Sequence, residues 1–111
     1  PPTLIYRAET GEIEQVPLTG IPLGSLLDYR YRQQQIQLNA GDVVVLMSDG
    51  LPERFNEHDE MLDYERTKKL LADVAERSSQ EIIQHLIRAG DEWANGRPQD
   101  DDVTFVVLKV K

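Results

Sequence analysis

The chain contains no cysteine, only two histidines, and fewer bases than acids across its 111 residues. Without cysteine there are no disulfides, no thiolate metal sites and no cysteine nucleophile, and the compartment is left open. With 12 Lys and Arg against 20 Asp and Glu, the formal net charge is −8. No basic stripe exists to displace counterions from a phosphate backbone, which argues against nucleic-acid binding. No apolar run approaches a membrane span and no signal peptide is visible, so the expectation is a soluble, cytoplasmic protein. His58 lies in the polar run Asn56-Glu57-His58-Asp59-Glu60 and reads as a solvated loop residue. His85 borders the apolar face of an expected helix and reads as a surface or boundary residue. Neither is paired with a nucleophile, so a Ser-His-Asp arrangement finds no support. What remains is an ordinary globular composition, 40% hydrophobic and 29% charged, sized for one domain or part of one, with a modest core.

The pattern along the chain is strands, then helices, then a strand. Thr3–Ala8 and Ile13–Val16 flank the turn Glu9-Thr10-Gly11-Glu12 and read as a hairpin over 3–16. Residues 17–28 carry Gly20, Pro22 and Gly24 and read as a loop. Residues 29–38 read as a polar strand with Tyr31, Ile36 and Leu38 turned inward. The five apolar residues Val43–Met47 predict a central strand buried on both faces. Beyond residue 50 the period changes. Leu70, Leu71 and Val74, extended by Tyr64 or Thr67, give one face of a helix over 63–76. Ser78-Ser79-Gln80-Glu81 is a capping box, and Ile82, Ile83, Leu86 and Ile87 give the apolar face of a second helix. Trp93 is expected over its end, and Asn95-Gly96-Arg97-Pro98 stops it. Val103–Val110 closes the chain as a strand. This order predicts an α+β fold: an antiparallel sheet with two helices on one face.

Two acidic turns stand out within that frame. Ser48-Asp49-Gly50 ends the apolar strand over 43–47, and Asp100-Asp101-Asp102 leads into the last strand. Antiparallel pairing can bring such distant strand ends together. A hard divalent cation wants oxygen ligands, and magnesium takes only one or two carboxylates while keeping several waters. A paired-metal centre holds its ions roughly 3.5–4 Å apart, clamps a phosphoryl group and activates water. A short Asp on a rigid strand end suits that geometry, and Gly50 removes a side chain that would crowd the ion or its waters. Neighbours on an extended chain point opposite ways, so one of Asp101 and Asp102 is expected to face the metal and the other to face solvent or bond the loop. Each turn alone has a plain structural reading: Asp-Gly is a common turn dipeptide, and an Asp run is a solvated loop.

Taken together, Gly41-Asp42, Ser48-Asp49-Gly50-Leu51-Pro52-Glu53, Ser79-Gln80-Glu81-Ile82-Ile83 and Gln99-Asp100-Asp101-Asp102-Val103-Thr104-Phe105-Val106-Val107 resemble the C-terminal half of the SpoIIE/RsbU-type serine phosphatases. These belong to the PPM (type 2C) protein phosphatase superfamily. Gly20-Ile21-Pro22-Leu23-Gly24 and the opening Pro1–Arg7 fit the same pattern, so the resemblance covers essentially the whole chain. It implies a PPM-type β-sandwich of which residues 1–111 form the C-terminal portion. It implies Asp49 and Asp101 as metal ligands, with Gly50, Asp102 and Glu53 in supporting positions, and manganese or magnesium in a two-metal centre. It also implies hydrolysis of phosphoserine or phosphothreonine by metal-activated water, on a phosphorylated anti-anti-sigma-like protein of STAS fold.

The family's first acidic motif, which supplies the bridging Asp, has no counterpart in residues 1–48. Glu9, Glu12, Glu14 and Asp28 sit in hairpin or loop contexts. The expectation is therefore a fragment inactive by itself, with an uncovered apolar surface or open edge that invites a homodimer or element exchange. Two other readings compete. One is a non-catalytic phosphatase-like module that binds a regulatory partner; intact Asp49 and Asp101 weigh against it. The other is an acidic calcium domain, which lacks the dense Asp/Asn spacing of a calcium loop.

Overall fold

The computed structural model describes residues 1–17 and 20–111. The loop expected over 17–28 thus includes Leu18 and Thr19, which lie outside the described residues. Strand β1 (Thr3–Tyr6) pairs antiparallel with β2 (Ile13–Val16), from Thr3 opposite Val16 to Tyr6 opposite Ile13. The expected hairpin therefore forms. Its turn is closed by Arg7 N–H to Glu12 O at 2.8 Å and Gly11 N–H to Arg7 O at 2.8 Å.

Strand β3 (Val43–Met47) pairs with β1 on one side and with β4 (Phe105–Lys109) on the other, both antiparallel. The sheet order is β2-β1-β3-β4. The long return from β2 to β3 is locked by Asp42. This buried carboxylate accepts from Ala8 N–H and Asn39 N–H, each at 2.9 Å, and from Arg7 at 3.1 Å. Gly41 has φ 89, and a Cβ there would meet the Ala8 Cβ at 2.9 Å. The turn into β3 therefore needs glycine both for its left-handed backbone and for room.

Helix α1 (Asp63–Val74) and helix α2 (Ser79–Ala94) complete the element order. Leu4, Tyr6, Val43, Val45 and Met47 join Leu71, Val74, Ile82 and Leu86 in one buried cluster. Each such side chain removed from water stabilises the fold by about 1.5–3 kcal/mol. In α1 the buried positions are Thr67, Leu71 and Val74, so Thr67 extends the expected face. In α2 they are Ile82, Leu86, Gly90 and Ala94. Ile87, assigned to that face from the sequence, is exposed instead. A stripe at i, i+4, i+8 and i+12 is narrower than the expected one and leaves Ile87 outside it.

The capping box forms in one direction. The Ser78 Oγ accepts from Glu81 N–H at 3.2 Å, while the return bond from the Glu81 side chain is not made among the described residues, and Glu81 is exposed. Asn95, with φ 48, ends α2 and donates its N–H to Asp91 O. The Lys109 ammonium donates to Ala75 O at 3.0 Å and Arg77 O at 2.7 Å, satisfying carbonyls at the end of α1.

Two strand expectations are also corrected. Residues 29–38 form no strand, because none of the described residues offers them a ladder. Ile36 and Leu38 are half-buried as expected, but Tyr31 is exposed and donates its hydroxyl to Pro22 O. The second correction concerns β3. It is buried on both faces only over Val43–Val45, and Leu46 is 43% exposed. Leu46 lies opposite Val106, and Val44 opposite Leu108, so these four share the sheet face turned away from the core. Val106 and Leu108 are 48% and 52% exposed. Over β4 and the end of β3, this apolar face carries no covering layer among the described residues.

Candidate metal centre

Antiparallel pairing places the end of β3 beside the start of β4, with Met47 opposite Phe105. The next residues continue the contact. Ser48 N–H donates to Thr104 O at 3.0 Å. The Ser48 Oγ accepts from Thr104 N–H at 3.0 Å and donates to Asp102 O at 3.1 Å. The two acidic turns, far apart in sequence, are thus clamped together by one hydroxyl.

Gly50 sets how close they come. A Cβ at this position would lie 2.1 Å from the Asp102 carbonyl oxygen and 3.0 Å from Val103 Cγ2. The space that the missing side chain leaves is taken by the backbone of the second turn. The chain then coils through Glu53 N–H to Asp49 O at 2.9 Å and Arg54 N–H to Leu51 O at 3.0 Å. That coil carries Glu53 to the wall of a cavity of about 360 Å³, lined also by Gly50, Arg54, Phe55, Met61, Asp100 and Asp101.

Three of the residues singled out in the sequence, Gly50, Glu53 and Asp101, therefore share one cavity. Asp49 sits beside it, half-buried, and its Oδ1 accepts from the Tyr64 hydroxyl at 2.8 Å. Asp101 lies on the wall, and its Oδ1 accepts from Asp102 N–H at 2.8 Å. The Asp102 side chain is exposed and takes no part in the lining; its backbone carbonyl is the part that docks, against Gly50 and Ser48. Asp100 faces Arg97 at 3.7 Å.

The electrostatics favour a cation. Among the described residues, Asp49, Glu53, Asp101 and Asp102 have no ion-pair partner, unlike Asp42, Asp59, Asp63 and Asp91. The donors are all oxygen, which suits a hard divalent ion. Among the described residues no three His, Cys, Asp or Glu side chains group closely enough to hold a metal ion. Asp49, Glu53 and Asp101 thus offer oxygen donors of the type a hard divalent ion takes, but the described residues do not by themselves make a complete site. Burial raises the Tyr64 phenol well above its ordinary range, as do its hydrogen bond to Asp49 and the charges of Asp49 and Glu53.

The sequence assigns no site role to Ser48, Tyr64 or Arg54. Ser48 carried a signal, since it precedes the Asp-Gly pair and its backbone ends the strand. Tyr64 carried none as a neighbour of Asp49. The Arg54 guanidinium bonds Asp91 at 3.0 Å, while its Nε is buried without a partner among the described residues. Trp93 does more than cover a helix end: its indole N–H donates to Arg54 O and Glu60 O, tying down the segment between β3 and α1. His58 is exposed beside Glu57, and the His85 Nε2 is buried without a partner among the described residues.

A family model described as Stage II sporulation protein E (SpoIIE) matches residues 1–111. The chain is similar to the phosphoserine phosphatase RsbU of Bacillus subtilis (strain 168), with 29% identity over 114 residues, covering 99% of this chain and 32% of RsbU. It is also similar to the stage II sporulation protein E of that organism, with 26% identity over 112 residues, covering 98% of this chain and 13% of that protein. Among solved structures, the SiaA-PP2C domain of Pseudomonas aeruginosa superimposes with a TM-score of 0.81 at 21% identity, over 98% of this chain and 43% of that one. The manganese-presoaked phosphatase domain of SpoIIE from Bacillus subtilis gives a TM-score of 0.71 at 25% identity, over 99% and 46%. The chain thus spans a third or less of these curated relatives and under half of these solved domains. The fold is that of PP2C phosphatase domains, and the relatives are phosphatases.

Proposed function

Because the chain belongs to the Stage II sporulation protein E (SpoIIE) family, we propose that residues 1–111 are the C-terminal portion of one PPM-type domain and form one wall of a metal-dependent protein serine/threonine phosphatase centre. The observation that carries the reading is the clamp between the two acidic turns, which puts Gly50, Glu53 and Asp101 on one cavity with Asp49 beside it. Asp49 and Asp101 would hold manganese or magnesium. Gly50 and Asp102 set the spacing of the two turns, and Glu53 adds negative potential at the cavity. When bound, such ions polarise a phosphoryl group and supply an activated water. The bridging carboxylate of the pair is expected from a segment outside these residues, so the 111-residue chain alone is expected to be inactive.

The proposed substrate is a phosphoserine on a bacterial regulatory protein, in the proposed case a STAS-fold anti-anti-sigma factor acted on in the cytoplasm. What supports the phosphoserine is the similarity to RsbU, a phosphoserine phosphatase. The test is metal titration of the complete domain carrying Asp49→Asn or Asp101→Asn, alongside hydrolysis of a small aryl phosphate with manganese. Both substitutions should weaken metal binding and activity. Metal affinity unaffected by either would end the site assignment, and robust turnover by the 111-residue chain would end the half-site reading.

A further inference from the structure

The carboxylate of Asp49 has one side-chain hydrogen-bond partner among the described residues, and it comes from a different element. The Tyr64 hydroxyl donates to Oδ1 at 2.8 Å across a sequence separation of 15. Tyr64 is held by a rigid support. It occupies the first turn of α1, directly after Asp63, whose backbone is left-handed at φ 69. The Asp63 carboxylate accepts from Arg66 N–H at 2.9 Å, and the Thr67 Oγ1 donates to Asp63 O at 2.7 Å. Thr67, Leu71 and Val74 then bury that helix face in the core. A phenol delivered from a docked helix has little freedom, so the carboxylate it bonds has little freedom either.

We propose that Tyr64 is the positioning residue of Asp49: its hydroxyl occupies Oδ1, fixes the plane of the carboxylate and leaves Oδ2 for the divalent ion. This deepens the metal-centre reading above and rests on it. An outer hydrogen bond of this kind orients a ligand and raises its affinity for the ion. It also disfavours two-oxygen chelation. Monodentate presentation suits the six-coordinate oxygen sites of magnesium and manganese better than those of calcium, which readily takes a carboxylate by both oxygens.

The experiment compares Tyr64→Phe with Asp49→Asn in the full-length protein. Manganese affinity is read from the free-ion paramagnetic resonance signal, calcium affinity by competition, and melting temperature in chelator. Tyr64→Phe keeps the ring and its packing. If it melts lower, the titration is run below that midpoint, so that affinity is always read on folded protein. The expected result is a loss of about tenfold to a hundredfold in manganese affinity, with a reduced preference for manganese over calcium. Manganese affinity unchanged in Tyr64→Phe but lost in Asp49→Asn would overturn the proposal and leave the metal centre standing. Affinity unchanged in both would overturn the two together.

Discussion

Replacing Gly50 with alanine adds one methyl group at the point where the two acidic turns touch. The added carbon would sit 2.1 Å from the Asp102 carbonyl oxygen, where real contacts of this kind stay above 3.0 Å. The obstacle is backbone rather than the tip of a flexible side chain, so the second turn must retreat by about 0.9 Å. That retreat stretches the bond from Ser48 Oγ to Asp102 O, now 3.1 Å, beyond useful range. Overpacking of this kind costs about 1–3 kcal/mol. At this chain length each kcal/mol is worth about 4–5 °C, between the values for smaller and larger domains. The expected fall in melting temperature is therefore about 4–15 °C.

The displacement also moves Asp101 away from Asp49, and misplacement by about 1 Å can cost a hundredfold in rate. Metal affinity and phosphatase activity of the complete domain should fall further than stability alone explains. Gly20→Ala is the matched control, because a Cβ there meets nothing closer than 3.6 Å. Thermal melts followed by circular dichroism compare the two directly. Equal melting temperatures for Gly50→Ala and Gly20→Ala would refute the reasoning, since the chemical change is identical and only the local contact differs.

Two further outcomes follow from other parts of the fold. The Asp42 carboxyl lies below its ordinary 3.8, held there by the N–H groups of Asn39 and Ala8 and then by Arg7, against the opposing effect of burial. A group depressed in the folded state stabilises fully above its unfolded value and loses that contribution as pH falls through the folded value. Melting curves of the native chain and of Asp42→Asn should therefore be far apart at neutral pH and converge below about pH 4; a gap that stays constant down to pH 2 would remove Asp42 from the acid response. Leu46, Val106 and Leu108 expose an apolar sheet face, so the 111-residue chain should self-associate by light scattering, Leu108→Lys should reduce it, and a strictly monomeric native chain would count against this.

What was legible in the sequence was what short-range pattern controls. The hairpin over 3–16, the apolar strand over 43–47 and the two helices are each written in a local period, and all four formed. The errors fell where a residue's state depends on something distant. A strand over 29–38 needs a ladder that none of the described residues supplies, so its alternation was not enough. Leu46 looks like its neighbours in sequence, yet the helices cover only one face of the sheet, and its exposure depends on what lies over the other. Ile87 has the same chemistry as Ile82, but it misses the stripe that α2 presents to β4 by one step around the helix.

The site divides the same way. Carboxylates at strand ends could be picked out because an acid in a turn after an apolar run is visible residue by residue. The reason for Gly50 could not, because its neighbour is a backbone atom more than fifty positions away, and a carbonyl leaves no mark in a sequence. Ser48 lies between these cases: its place beside Asp49 is visible, but its two bonds to the second turn appear only when β3 and β4 are in register. In the sequence Tyr64 is one of two residues, with Thr67, that can extend a helix face, which is a statement about one helix alone. Its hydroxyl reaches Asp49 from the first turn of α1, whose first residue, Asp63, has a left-handed backbone. A φ of that sign on a residue other than glycine is uncommon. Here it fixes the start of the helix whose first turn carries the phenol, which makes Asp63, rather than any further acid, the next residue whose replacement would be felt at Asp49.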